Sequence, residues 1–147
     1  MRRRRGSCRG AVTAVACVLV AGAASAAGVD VTVEGIEPVP GSVYVALCQG
    51  GLSEAECRIG QDAPARAASQ RFVFDDVAPG TYAVAAYQDV NGNGRLDRTG
   101  LGLPLEPYGF SGEAVRGVRP DFARAHFALR EPGIRLRVRL TRALPPR

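Results

Sequence analysis

The chain has 147 residues and a formal charge of +5, but all 19 basic residues are arginine and five of them (Arg2, Arg3, Arg4, Arg5, Arg9) fall in the first ten positions. The rest of the chain sets 14 arginines against 14 Asp plus Glu and is formally neutral, so it lacks the basic footprint of a nucleic-acid-binding domain. A structural zinc site needs about four ligands, but the chain has one histidine (His126) and, of its four cysteines, only Cys48 and Cys57 lie beyond the first 26 residues, so such a site is not expected.

The first segment reads as an export signal. "MRRRRGSCRG" is a basic n-region, "AVTAVACVLVAGAA" is an apolar h-region, and Ala24-Ser25-Ala26 supplies the small-x-small pattern for cleavage before Ala27. The apolar run is shorter than the roughly 20 residues that span a bilayer. A lipid anchor on Cys17 is disfavoured because more apolar sequence follows it. The predicted layout is a signal peptide over 1–26, one domain over 27–142 and a tail over 143–147, in a periplasmic or secreted protein. Cys8 and Cys17 then leave with the signal, and Cys48 and Cys57 are expected to pair in an oxidising compartment. Closing so short a loop is worth about 2.5–3 kcal/mol on a chain-entropy account.

Strand signals dominate the remainder. Val29–Ile36 alternates Val29, Val31 and Val33 with Asp30, Thr32 and Glu34, the period of a half-buried strand. Ser42–Cys48 follows a Pro/Gly turn. Leu52–Cys57 offers one helical turn, with Ser53 and Glu56 spaced as a capping box. "QRFVFDDV" and "GTYAVAAYQD" flank Ala78-Pro79-Gly80 and read as two strands joined by a tight turn. Arg124–Leu129 and Gly133–Thr141 are expected to form another pair. In the latter, Ile134, Leu136, Val138 and Leu140 share one face and Arg135, Arg137 and Arg139 the other. Short strands with Gly/Pro turns and almost no helix predict an all-β fold, a single antiparallel β-sandwich of about six to eight strands. One long connection, Arg98–Phe122, interrupts it. Long connections of this kind are usually functional or disordered, and the aromatics Tyr108, Phe110 and Phe122, which could tie it onto the sandwich, argue against disorder.

The candidate sites lie at this connection and just before it. "DVNGNGRLD" places Asp89, Asn91, Asn93, the Arg95 carbonyl and Asp97 at alternating positions, with Gly94 at the bend, as an oxygen-ligand loop for Ca²⁺ requires. Its twelfth position is Gly100 instead of an acid, so Glu106 would have to complete the shell. The competing reading is a turn in which Gly supplies positive φ and no metal is involved. Glu106, Tyr108, Phe110 and Ser111 are candidates for a small-ligand pocket, with aromatic loop anchoring as the alternative. A Ser111–His126–Asp121 triad can be named, but no nucleophile-elbow pattern orders it, and the expectation is no enzyme. The arginine stripe reads as a solvated face that could also meet an anionic surface.

"FDDVAPGTYAVAAYQDVNGNGRLD", followed by "GLPLEPYGFS" and "RPDFARAHFAL", resembles a family of secreted bacterial proteins known as domain of unknown function 2141. The resemblance runs from about Val29 to Thr141 and implies a transthyretin-like or immunoglobulin-like sandwich, with no activity attached. The functional expectation is a secreted or periplasmic, non-catalytic binding or accessory module of the cell envelope, stabilised by Ca²⁺ if the loop holds it. It would act as a monomer on a small ligand or an envelope partner, with no nucleic acid and no transmembrane helix in the mature chain. The alternative is a structural or interaction protein assembling through a strand edge or the arginine face. An enzyme centred on Glu106–Ser111 is third.

Overall fold

The computed structural model describes residues 26–112 and 120–145. The signal-peptide expectation over 1–26 therefore falls almost wholly outside the described residues, as does the 113–119 part of the long connection.

Eight strands and one short helix make up the described chain: β1 (Ala27–Glu34), β2 (Ser42–Cys48), β3 (Cys57–Pro64), β4 (Ser69–Val77), β5 (Gly80–Asp89), β6 (Tyr108–Phe110), α1 (Phe122–Ala125), β7 (Phe127–Leu129) and β8 (Gly133–Arg139). They form two sheets, β4-β1-β8 and β3-β2-β5-β6, with β7 added to β5. The fold is thus an all-β sandwich. Every pairing is antiparallel except β1 with β8, which run parallel and bring the first and last strands side by side.

The core follows from the period-2 patterning. Val29, Val31 and Val33 of β1 are each 0% exposed, and they meet Val43, Val45 and Leu47 of β2 within one cluster. Phe72 and Phe74 from β4, Val84 from β5 and Val138 from β8 complete it. Each such side chain contributes roughly 1.5–3 kcal/mol of burial, an upper estimate because unfolded chains are already partly collapsed. No helix among the described residues is long and apolar enough to cross a membrane.

Two expected hairpins are instead crossings between the sheets. β4 pairs with β1, whereas the next strand, β5, pairs with β2, β6 and β7. Asp76 has φ 57°, and Ala78-Pro79 carries the chain over to the second sheet. The buried Tyr82 donates its hydroxyl to the Ala78 carbonyl at 2.9 Å and fixes that corner. Likewise β7 joins β5 while β8 joins β1, so the two do not pair with each other. At this second crossing a Cβ on Gly133 (φ 140°) would lie 2.2 Å from the Gly28 carbonyl oxygen, so only glycine fits. Alternation shows which faces are apolar but not which strands are partners, and a connector of two or three residues serves a hairpin or a crossing equally well.

The expected Arg124–Leu129 strand is divided. Asp121 accepts from the Ala123 N–H at 2.9 Å and caps α1, which buries Ala125 against Ala83; β7 begins only at Phe127. The Leu52–Cys57 segment forms the single turn that its capping box implies. Ser53 N–H donates to the Glu56 carboxylate at 3.0 Å, and Glu56 N–H donates to the Ser53 carbonyl at 3.0 Å. Cys48 and Cys57 are bonded, tying the ends of β2 and β3 around this turn.

Candidate functional site

The outer face of the five-stranded sheet carries a concavity of about 870 Å³, and strand register builds it. Tyr44 on β2 lies opposite Asp62 of β3 and Tyr87 of β5, and Tyr87 lies opposite Tyr108 of β6. Two residues along, on the same face, the row reads Gly60, Ala46, Ala85 and Phe110. Rows two residues apart are separated by roughly 7 Å, and four strands span roughly 14 Å. The result is a trough with a tyrosine wall and a floor of small residues. Its far wall is the Leu52–Ala55 turn, held by the Cys48–Cys57 bond. The Ser53 hydroxyl on the Glu56 carboxylate holds that acid below its ordinary value of 4.5 and keeps the turn closed.

The tyrosine wall is ordered. Tyr44 and Tyr87 stack with centroids 4.9 Å apart and planes 6° apart, so each covers a face of the other. Tyr108 and Phe110 meet edge to face at 6.0 Å. The Tyr87 phenol is pushed well above its ordinary value of 10.0. Burial is the first cause, followed by Tyr44 and the charges of Asp89, Glu106 and Glu54. Charged groups among the described lining residues are Glu54, Asp62 and Arg98, and Arg98 donates to the Gly102 carbonyl at 3.1 Å.

Of the four expected ligand-pocket residues, Tyr108 and Phe110 line this trough, and Glu106 and Ser111 turn away from it. Ser111 is 3% exposed, donates its hydroxyl to the Ala125 carbonyl at 2.7 Å and accepts from the Val84 N–H at 2.8 Å. It therefore joins α1 to β5. The other residues of the nameable triad are also engaged in local structure. Asp121 caps α1, and His126 is exposed with its ring stacked on Phe122 at 5.9 Å. The residues that the sequence reading left out are Tyr44, Tyr87, Ala46 and Ala85. Their signal was outward parity: alanines beside tyrosines on the face opposite Val43, Val45 and Val84.

The Asp89–Asp97 loop lies beside the same wall; a Cβ on Gly94 would be 3.9 Å from the Tyr44 hydroxyl. Its carboxylates are turned onto N–H donors. Asp89, 1% exposed, accepts from Gly92 N–H (2.7 Å), Asn93 N–H (3.2 Å) and Gly94 N–H (2.7 Å). Gly92 and Gly94 have φ 75° and 76°, which bends the backbone so that these amides converge. Asp97 accepts from the side-chain amides of Asn91 (2.6 Å) and Asn93 (2.7 Å), and these hold its carboxyl below the ordinary 3.8, Asn91 first. Arg95 approaches the same acid at 3.4 Å.

Glu106 does return to the loop. It is 2% exposed and bridges the two loop ends, accepting from Val90 N–H at 2.9 Å and Asp97 N–H at 3.2 Å. No three His, Cys, Asp or Glu side chains among the described residues converge as a metal-ligand set. Nor is any buried polar side-chain atom among them without a hydrogen-bond partner. The residues expected to hold Ca²⁺ thus gather at one loop, in which the Asp89, Asp97 and Glu106 carboxylates accept from the loop's own N–H donors.

Further fastening comes from residues with no motif. Gln88, 0% exposed, accepts from the Glu37 N–H at 2.8 Å and donates to the Glu37 carbonyl at 3.1 Å. Glu37 pairs with Arg142, whose guanidinium holds that carboxyl below the ordinary 4.5 and also donates to the Leu105 carbonyl at 2.9 Å. On the opposite sheet, the arginine stripe is partly neutralised. Asp30 binds Arg71 through both oxygens (2.7 and 2.8 Å) and lies 3.3 Å from Arg135, while Arg137 is 3.8 Å from Glu34.

Neither a curated protein nor a solved structure gives a match to this chain. A family profile described as an uncharacterized protein conserved in bacteria (DUF2141) matches residues 31–135, from β1 through the trough, the Asp89–Asp97 loop and Glu106 to β8. The chain belongs to that family.

Proposed function

We propose that this protein is a non-catalytic binding module of the bacterial cell envelope, exported by its N-terminal leader, and that the tyrosine-walled trough is its binding site. One observation carries the reading: the outward row Gly60, Ala46 and Ala85 holds minimal side chains on a sheet face flanked by aromatics. Strands favour β-branched and aromatic residues, so alanines and glycine here sacrifice strand propensity and leave a volume within the range of small-ligand sites. The disulfide that shapes one wall suits an oxidising compartment.

A binding role is favoured over a reaction centred on Glu106–Ser111, because both of those groups are committed to backbone hydrogen bonds. The loop beneath the wall supports a metal-free version of the module. An envelope protein assembling through a strand edge draws on β3, which pairs on one side only among the described residues and is mostly exposed. Light scattering across a concentration series separates that reading, since it requires self-association.

The test of the binding site is to fill it. Ala85→Leu should abolish binding of the neutral apolar dye Nile red while leaving the thermal midpoint within a few degrees. Dye binding of equal affinity in the filled variant would overturn the reading.

A further inference from the structure

We infer that the trough takes an organic cation, an ammonium group carried on an apolar body, with the apolar part on the Ala46–Ala85 floor and the ammonium drawn by the lining acids Glu54 and Asp62. This rests on the trough being the binding site proposed above.

The charges of the site are distributed unevenly. Glu54 comes from the Leu52–Ala55 turn and Asp62 from β3 beside Tyr44, so acids from two separate elements line the trough. Both are exposed, and among the described residues neither forms an ion pair or hydrogen bond that would cancel it. The one lining cation among the described residues, Arg98, comes from the loop side and donates to the Gly102 carbonyl. Asp89 and Glu106 add negative charge behind the tyrosine wall. The Tyr87 phenol already responds to this field: after burial and Tyr44, the charges of Asp89, Glu106 and Glu54 all oppose its ionisation. A field that resists a new anion in the trough favours a cation there by the same Coulomb term.

The shape restricts the rest of the ligand. Because Tyr44 and Tyr87 stack on each other, the wall offers ring edges and hydroxyl oxygens, not a broad double platform for a sugar ring. The hydroxyl oxygens can accept from ammonium N–H groups. The small-residue floor suits an alkyl chain or a flat ring lying across the strands.

The natural fluorophores report on this site, since the chain has four tyrosines and no tryptophan, and Tyr44, Tyr87 and Tyr108 all line the trough. Decylamine, decanol and decanoate share one apolar chain and differ in head-group charge. Titrated into the full chain with its disulfide intact, decylamine should bind roughly fivefold more tightly than decanol, the product of two exposed charge contacts. Decanoate should bind more weakly than either. A double variant, Glu54→Gln with Asp62→Asn, alters only exposed side chains and should erase the preference while retaining decanol binding.

Equal binding of all three ligands, blocked by Ala85→Leu, would overturn the cation inference and leave the trough reading standing. Tightest binding by decanoate would also overturn it, pointing to Arg98 as the head-group partner. Survival of the amine preference in the double variant would remove Glu54 and Asp62 from the recognition and overturn the inference as stated. If none of the three ligands binds, both readings fall.

Discussion

Replacing Glu106 by glutamine probes how the Asp89–Asp97 loop is held. Glu106 is 2% exposed, and its two oxygens accept from the Val90 and Asp97 N–H groups at 2.9 and 3.2 Å. Hydrogen bonds to a charged group are worth about 1.5–3 kcal/mol each, and a buried donor left without an acceptor costs a similar amount. Glutamine keeps one oxygen and turns an NH₂ toward the other N–H, so Glu106→Gln should cost about 2–3 kcal/mol. At about 4 °C per kcal/mol for a domain of this size, the midpoint should fall by roughly 10 °C. Urea denaturation followed by far-UV circular dichroism gives the free energy, with the slope unchanged if both variants unfold from the same fold. A loss below about 0.5 kcal/mol would show that water replaces these bonds without cost, and the bridging role would be wrong. The same protein melted in millimolar CaCl₂ and in chelator should give one midpoint. A calcium-dependent rise that disappears in Glu106→Gln would mean these oxygens turn to a cation, refuting the self-closed loop.

Two further outcomes are expected. Cys48→Ser with Cys57→Ser should lower stability by about 2.5 kcal/mol and speed amide exchange at Ser53–Cys57; unchanged exchange there would show that the capping box alone holds the turn. Acid should destabilise the fold through carboxyls whose folded values are depressed, Glu37 by Arg142, Asp30 by Arg71, Glu56 by Ser53 and Asp97 by Asn91. Their stabilisation is complete above the ordinary values of 4.5 and 3.8, and is lost as pH falls through the lower folded values. Stability should therefore hold from neutral pH to about 5 and decline below it. Arg142→Gln should flatten that decline, and an acid limb parallel to wild type would show that the Glu37 pair is not coupled to folding.

Local patterns carried much of the fold. Val29, Val31 and Val33 in one strand, and Arg135, Arg137 and Arg139 opposite Ile134, Leu136 and Val138 in another, fix inward and outward faces because side chains in a strand alternate. The capping box at Ser53 and the pairing of Cys48 with Cys57 are short-range features, and short-range chemistry suffices to read them. β3 left no comparable mark, since an edge strand with five consecutive exposed residues shows no alternation. β6 is three residues inside a Gly/Pro-rich connection and exists because β5 offers it an edge.

The residues of the sequence alone determined that the chain is all-β, which faces are apolar, and that Asp89–Asp97 bends at its glycines. Partnership needed the tertiary structure. β4 and β5 adjoin in sequence yet lie in different sheets, because the core needs two apolar faces packed on each other, not one continuous meander. The same long-range pairing places Tyr44, Tyr87 and Tyr108, which are distant in sequence, in one row, and brings Glu106 back to Val90 and Asp97. A row across a sheet is a property of register, and register is set by contacts between strands, so no single strand contains it.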